Sequence, residues 1–466
     1  MTGPAGATHL EGRIVVISIV ASATSFLDGS VVNVALPAIA HDLGGGVTTQ
    51  QWVVDGYLLT LGSMILIAGA FADLVGRARA LRIGLIIFGT ASVGCFLAST
   101  VGALVGARLA QGAGAALLVP SSLALLASTF SGEERARAVG RWTAWTSVAF
   151  VAGPPLGGVL VDTVGWRWIF LANVPLVAFT LIDMRGIRDL ARVSGQRLDL
   201  VGASLVTSGL AALVLGLIEQ PVAGWTSRLV LVSLGLAVLL LSAFVLWERR
   251  GRNVLVPREL FRSGNFTAGN LATVGVYAGV GIALLIVTLL LQEVARVPAL
   301  FAGIATLPVA LTSLLLAEKF GHLAGRHGAR AFMTAGPLVA AVGFLWMSMT
   351  GLEPPSLWAH LGIGLPLYGL GLAMTVAPLT ATVLDSVAPE RSGVASAVNN
   401  AIARVAGLLA VALIGTIIGG AFDLDAFRRT AIATAALFVV GGLTALVGVR
   451  NNARPRIAAD HADSVE

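Results

Sequence analysis

Fourteen apolar runs, each long enough to cross a bilayer, divide this 466-residue chain from end to end. A helical span needs about 20 predominantly apolar residues. The runs cover residues 14–37, 50–72, 80–99, 102–129, 138–162, 166–184, 199–219, 228–247, 267–292, 300–318, 331–350, 357–384, 392–420 and 430–449. In hydrocarbon every backbone N–H and C=O must find its partner inside the protein, so only helices and closed barrels can span. Uninterrupted runs of this length predict helices. The expected fold class is therefore an all-α polytopic membrane protein with 14 transmembrane helices. Only 12% of the residues are charged, against about 25% in a soluble domain. The 56 glycines suit closely packed membrane helices.

Charge sets the orientation. Basic residues crowd alternate connections, as Arg77/Arg79/Arg82, Arg135/Arg137/Arg141, Arg185/Arg188/Arg192/Arg197, Arg249/Arg250/Arg252/Arg258/Arg262 and Lys319/Arg326/Arg330. Arg13, Arg391 and the tail residues Arg450, Arg454 and Arg456 fall on the same side, and the opposite connections hold only Arg167, Arg228, Arg296, Arg428 and Arg429. The positive-inside rule then puts both termini in the cytoplasm, as an even span count requires. The net charge of +6 thus reports topology and not a nucleic-acid surface. The first run exceeds the h-region of a signal peptide and reads as an uncleaved first span. The single cysteine, Cys95, makes no internal disulfide.

Several chemistries are missing. A phosphate-binding loop needs Gly-Lys-Ser/Thr, but the only lysine, Lys319, stands between Glu318 and Phe320. No HExxH or GxSxG motif occurs, and His322 and His327 read as solvated loop residues. No enzyme activity, cofactor or metal is expected, and any pumping must draw on an ion gradient.

Gly69-x2-Ala72-x3-Gly76 recurs 252 positions later as Gly321-x2-Ala324-x3-Gly328, and Glu134-Arg135 recurs after 256 as Glu390-Arg391. Two anchors at nearly one spacing suggest two halves related by a parallel repeat. The chain then divides into an N-terminus (1–13), a first six-helix bundle (14–184), a linker with two inserted helices (185–262), a second six-helix bundle (263–450) and a tail expected to be disordered (451–466).

Ionisable residues inside spans mark ion or substrate pathways, or lock two helices as structural pairs. Asp28 interrupts the first run in LDGSVVNVALP (27–37), where a carboxylate costs about 2.5–3.5 kcal/mol on insertion scales. At 1.5 Å per residue Asp28 lies about 13 Å, Arg108 about 9 Å and Asp55 about 8 Å from the outer ends of their helices. The three share one half of the bilayer, and a proton on Asp28 can exchange against pairing with Arg108. Opposite charge favours the ionised carboxyl and desolvation disfavours it, so such a group can change state as a cavity opens. Arg108, Gln111, Gly112 and Ala115 form one helical stripe. Arg404 falls near mid-membrane, with Asn399 and Asn400 one turn before it, either lining a cavity or hydrogen-bonding across helices. Trp52 and Asp55 are candidates for contacting substrate, Asp55 by attracting a cation. Gly153-Pro154-Pro155 and Gly157-Gly158 interrupt the fifth run, as a kink with a packing face or as a seal against the other half.

These stretches together resemble the fourteen-helix drug/proton antiporter branch of the major facilitator superfamily, with its QacA- and EmrB-type exporters. LDGSVVNVALP is similar to that branch's first-helix motif, GAFADLVGRAR (69–79) to the motif between helices 2 and 3, and RLAQGAGAA (108–116) to the fourth-helix motif. GPPLGG (153–158) with WRWIFLANVP (166–175) resembles the antiporter motif of helix 5 and the start of helix 6, and SGVASAVNNAIARVAG (392–407) the thirteenth helix. The resemblance implies the major facilitator fold: two six-helix bundles plus a two-helix insert, working by alternating access. It assigns proton coupling to Asp28 and Arg108, and a cytoplasmic gating latch to Gly69, Asp73, Gly76, Arg77 and Arg79, with Asp73 facing the N-terminus of the helix that starts at Ser392. The motif departs from the branch at Leu74, where a basic residue is usual.

The expectation is a monomeric plasma-membrane exporter, embedded in the lipid bilayer, that exchanges protons for hydrophobic, often cationic small molecules. The alternatives are a dedicated exporter of one endogenous metabolite, antibiotic or lipid, and a non-transporting membrane sensor or scaffold.

Overall fold

The structure, a computed structural model, describes residues 4–187, 198–251, 255–388 and 391–451, with every side chain in them except those of residues 4–9, 66, 73 and 136. The expected features at Arg188, Arg192, Arg197, Arg252, Glu390, Arg454 and Arg456, the Asp73 side chain and the tail beyond 451 lie outside the described residues.

The described residues are helical and contain no strand. The elements are α1 (Pro4–Leu43), α2 (Gly46–Val75), α3 (Arg77–Leu97), α4 (Val101–Thr129), α5 (Gly132–Thr163), α6 (Trp168–Leu171), α7 (Asn173–Asp183), α8 (Leu200–Ala223) and α9 (Arg228–Arg250). After a short 3-10 turn at Arg258–Arg262 come α10 (Gly264–Leu289), α11 (Ala299–Ala305), α12 (Leu307–His327), α13 (Ala329–Met347), α14 (Pro354–Asp385), α15 (Ser392–Ile418) and α16 (Leu424–Gly448). Twelve helical stretches are long and apolar enough to cross a membrane. With α2 and the α6–α7 pair, the fold has about twelve to fourteen apolar helices. Side chains close several exposed N-termini: Asp199, Ser263 and Asp423 accept from the backbone of Gly202, Phe266 and Ala426.

Three elements differ from the sequence reading. The run 166–184 is two helices, not one, and 300–318 breaks at Thr306 into α11 and α12. Proline explains both breaks. Pro175 and Pro308 have no N–H to give the carbonyl four residues back, and their rings crowd it. In contrast, α12 runs on to His327, so His322 and His327 are helical and not loop residues.

The glycines ending the two repeated motifs share one backbone conformation. Gly76 closes α2 with φ 104° and ψ 138°, and Gly328 closes α12 with φ 94° and ψ 144°. Each makes a tight turn that L side chains rarely adopt.

Helices α1–α7 pack among themselves, through α1 with α5, α2 with α4 and α3 with α4. Helices α10–α16 do the same, through α13 with α14, α12 with α14 and α10 with α15 and α16. Helix α8 packs on α9, α2 and α15. The two sets meet through α5 with α11 and α2 with α15, from the end of the bundle that carries the α1–α2 connection, hereafter the distal end, inward as far as Gly62 and Arg404. A π-helical turn, Leu290–Val294, ends α10 there. From it Gln292 Nε2 donates to the Val34 carbonyl (2.9 Å), while Gln50 Nε2 donates to Glu293 Oε1 (3.3 Å). Gln51 Nε2 donates to the carbonyls of Val411 (2.7 Å) and Ala412 (3.0 Å). The Asp162 carboxylate accepts from the backbone N–H of Ala299 (3.2 Å) and Leu300 (2.8 Å).

At this seam a Cβ on Gly158 would stand 2.5 Å from the Ala299 carbonyl oxygen and from Leu300 Cα, inside any allowed contact. We expect Gly158→Val to force α5 and α11 apart. Electron-resonance distances between spin labels on the distal ends of these helices should lengthen relative to the parent; an unchanged distance would refute this role.

Candidate functional site

Asp28 lies on α1 where α4 and α7 cross it. Its side chain is 0% exposed and that of Arg108, on α4, is 2% exposed. Arg108 Nη1 donates to Asp28 Oδ2 at 2.6 Å and to Gln111 Oε1 at 2.7 Å, and its Nε donates to the Val53 carbonyl at 3.0 Å. Gln111 Nε2 donates to Asp28 Oδ1 and to Ser92 Oγ, both at 2.9 Å. Asn173 Nδ2, at the start of α7, donates to Asp28 Oδ1 at 2.9 Å. The carboxylate thus receives three donors from two helices, one of them a guanidinium. The guanidinium carbon also lies 4.3 Å from the centre of the Tyr57 ring and 5.8 Å from that of Phe170. Tyr57 in turn is hydroxyl-bonded to Ser25 at 2.9 Å.

Local sequence makes this geometry possible. Gly112 lets α4 lie against α2, since a Cβ there would strike the Tyr57 carbonyl and the Thr60 hydroxyl. Thr60 uses the closeness to donate to the Leu109 carbonyl at 2.7 Å. Arg108 and Gln111 fall on one helical stripe, so α4 presents a cation and an amide side by side to one carboxylate. A buried ion pair is tolerated only when its remaining valences are filled; here Gln111, Asn173 and the Val53 carbonyl fill them.

The other candidates are dispersed. Trp52 turns to α8, where its Nε1–H donates to Glu219 Oε1 at 3.0 Å. Asp55 is fully buried, and neither carboxyl oxygen has a hydrogen-bond partner. Of the two readings for the paired asparagines, Asn399 takes the cross-helix one: its Nδ2 donates to Asn270 Oδ1 (3.0 Å) and Thr273 Oγ1 (2.8 Å) on α10. Asn400 is exposed and donates only within its own helix, to the Ser396 carbonyl. Arg404 is half-buried and makes no hydrogen bond or ion pair among the described residues. In the 69–79 motif Gly69 has open space about it, Gly76 makes the turn to α3, and Arg77 Nη1 donates to the Ala124 carbonyl at 2.9 Å; Arg77 and Arg79 have further partners. In the fifth run, α5 continues unbroken through Pro154 and Pro155. Gly153 and Gly157 pack on Ser30 and Val31 of α1, whereas Gly158 meets α11, and Gly303 of α11 packs on Pro154. One glycine set therefore serves both the packing face and the seal.

The sequence reading missed Asn173, Ser92, Asp162 and Glu219. Asn173 carried a usable signal, an amide inside an apolar run, which usually bonds across helices. Asp162 and Glu219 sit near run ends, where a carboxylate is unremarkable. No group of three or more potential metal ligands occurs among the described residues.

The profile of the Major Facilitator Superfamily matches residues 19–411. The chain is 35% identical over 395 residues to the multidrug resistance protein Stp of Mycobacterium tuberculosis, covering 84% of this chain and 73% of that one. It is 32% identical over 436 residues to the methylenomycin A resistance protein of Streptomyces coelicolor (92% and 91%), and 31% identical over 419 residues to the multidrug export protein EmrB of Escherichia coli (87% and 81%). Among solved structures, a bacterial homologue of the human lysosomal transporter Spinster superposes with a TM-score of 0.69 at 16% identity, over 96% of this chain and 98% of that chain.

Removing one partner of a buried pair leaves a bare charge, at about 3–5 kcal/mol, whereas removing both can be neutral. Arg108→Met alone should lower the thermal unfolding temperature of the purified protein markedly, and Asp28→Leu combined with Arg108→Met should recover most of the loss. Equal losses in the single and double variants would contradict the pairing.

Proposed function

Because the chain belongs to the major facilitator superfamily, a family of transporters and not of enzymes, we propose that it exports hydrophobic, drug-like small molecules across the plasma membrane by alternating access, in exchange for protons. The observation that carries this reading is the Asp28–Arg108 pair. It is sealed from solvent, and its carboxylate is held by three donors inside a multi-pass membrane protein. The relatives named for multidrug and antibiotic resistance support export as the direction of transport.

In this reading the chain has fourteen spans, with 14–184 and 263–450 as the two bundles and 185–262 carrying the insert. Arginine-rich connections hold both termini in the cytoplasm, so the distal end is the outer one. The hydrogen bonds of Asp162, Gln50, Gln51 and Gln292 across the halves then close the outer gate. The cytoplasmic latch centres on Asp73, Arg77 and Arg79. The protein works as a monomer in the bilayer and needs no cofactor.

The cycle follows from the electrostatics. With the outer gate closed, Arg108, Gln111 and Asn173 hold the Asp28 carboxylate. When the gate opens, a proton from outside reaches Asp28 and removes its charge, and Arg108 loses its counter-ion. The weakened α1–α4 contact favours the rearrangement that returns the halves, and the proton leaves toward the cytoplasm as the pair re-forms. Each proton moving inward releases about 2.3 kcal/mol per 100 mV of membrane potential. Asp55 enters as the carboxyl that outer opening would uncover, the state in which it can attract a cation.

Asp28→Asn keeps the size of the side chain, gives up one acceptor oxygen and removes the titration. In proteoliposomes it should abolish export driven by a pH gradient, while facilitated exchange of substrate without a gradient survives. Gradient-driven export at parental rate would end the coupling role.

A further inference from the structure

Arg404 is the charge that the cycle above leaves unused. It is the thirteenth residue of the 27-residue α15, about 18 Å from the helix start at 1.5 Å per residue. Helices α2 and α10, one from each half, approach it. Its Cβ would be only 3.0 Å from a Cβ placed on Gly62 of α2, and its charge lies close enough to Tyr57 of α2 and Tyr277 of α10 to act on both rings electrostatically. Tyr57 faces Ser25 and Arg108 in the interior, so this side of α15 looks into the bundle and not to lipid.

No carboxylate pairs with Arg404 among the described residues. Asp28 belongs to Arg108, Glu219 accepts from Trp52, and the Asp55 carboxyl has no partner at all. The guanidinium keeps its donors unused, and so does the hydroxyl of half-buried Tyr277. The approach is partly open and carries one amide, Asn400. Arg404, Asn400, Ala397 and Gly393 form one stripe of α15 at helical spacing. Asn400 and Gly393 are exposed and the other two half-buried, leading from mid-membrane to the end that carries the termini. An unpaired cation at mid-membrane is costly, and a guanidinium presents a planar fork of donors matched to carboxylate geometry.

We propose that Arg404, with Tyr277 within electrostatic reach and Asn400 on its approach, binds the anionic head of an amphiphilic substrate, a carboxylate or comparable monoanion. The unpaired charge then selects acids over organic cations, the reverse of the preference expected from Asp55. This rests on the export reading for its meaning. Tyr57 touches Arg108 and lies within electrostatic reach of Arg404, so one ring links this site to the coupling centre.

The test is equilibrium binding to the full-length chain in neutral detergent at neutral pH, read as energy transfer from tryptophan to pyrene. Three probes share one apolar body: pyrenebutyrate, pyrenebutanol and the pyrenebutyl-trimethylammonium cation. The parent should bind the carboxylate about tenfold or more tighter than the alcohol, and the cation weakest. Arg404→Gln should remove that advantage while leaving alcohol binding within about twofold. Arg404→Lys should keep part of it, and Arg404→Gln should unfold no earlier than the parent, since it removes a charge without a partner. Tightest binding of the cation, no preference in the parent, or equal weakening of all three probes by Arg404→Gln would overturn the proposal; the parent comparison needs no variant to fold. If phosphatidylglycerol competes with pyrenebutyrate and the acid is not transported in liposomes that do export neutral substrates, Arg404 holds a lipid head and the substrate assignment fails. Binding requires neither gradient nor flux, so a failed export assay beside an intact acid preference would remove the export reading alone.

Discussion

A carboxylate and a guanidinium that neither water nor lipid can reach must satisfy each other, and that requirement fixes how the first set of helices sits. Asp28 and Arg108 meet at 2.6 Å only because α1, α2, α4 and α7 are brought within a side chain of one point. Gly112 removes the atoms that would hold α4 off α2, and Thr60 fastens the contact. Gln111 ties the pair to Ser92 on α3, and Asn173 anchors it to α7 just beyond the break that Pro175 imposes. Any change in the charge of Asp28 is therefore felt by most of the first bundle at once.

The second constraint is the seam. The halves are joined toward the distal end by backbone-directed hydrogen bonds and glycine contacts, set among apolar side chains of α1, α2, α10 and α15. The Asp162 carboxylate grips two backbone N–H groups of α11, and Gln51 grips two carbonyls of α15. Such contacts are satisfied only in one arrangement and release together when it changes. Helix α8 spans the same seam. Adjacent residues point to opposite halves, Glu219 to Trp52 of α2 and Gln220 to Thr416 of α15 at 3.0 Å. Helix α8 thus lies across the joint.

Much of this was legible in the sequence, for reasons that differ by residue. The helices were legible because membrane spans advertise themselves by length and hydropathy. The Asp28–Arg108 encounter was legible because the two charges lie at similar depth, and Gln111 because it shares a stripe with Arg108. The repeat was legible in the glycines, since Gly76 and Gly328 are needed for the same positive-φ turn. What was not legible depends on which way a side chain turns about a helix whose whole circumference is apolar. Trp52 and Asp55 lie three residues apart, yet one bonds to α8 and the other is sealed without a partner. Asn399 and Asn400 are neighbours that diverge in the same way. The breaks at Ala172 and Thr306 needed the prolines weighed against runs that were otherwise long enough for one helix.

The central claim is that the charge on Asp28 follows the state of the seam. Isotope-edited infrared spectroscopy of the Asp28 carboxyl tests it most directly, with the distal end closed and with the distal end held open, at one pH. The account predicts the symmetric and antisymmetric bands of a carboxylate in the closed form and the C=O stretch of a protonated acid in the open form. The same protonation state in both forms would contradict it.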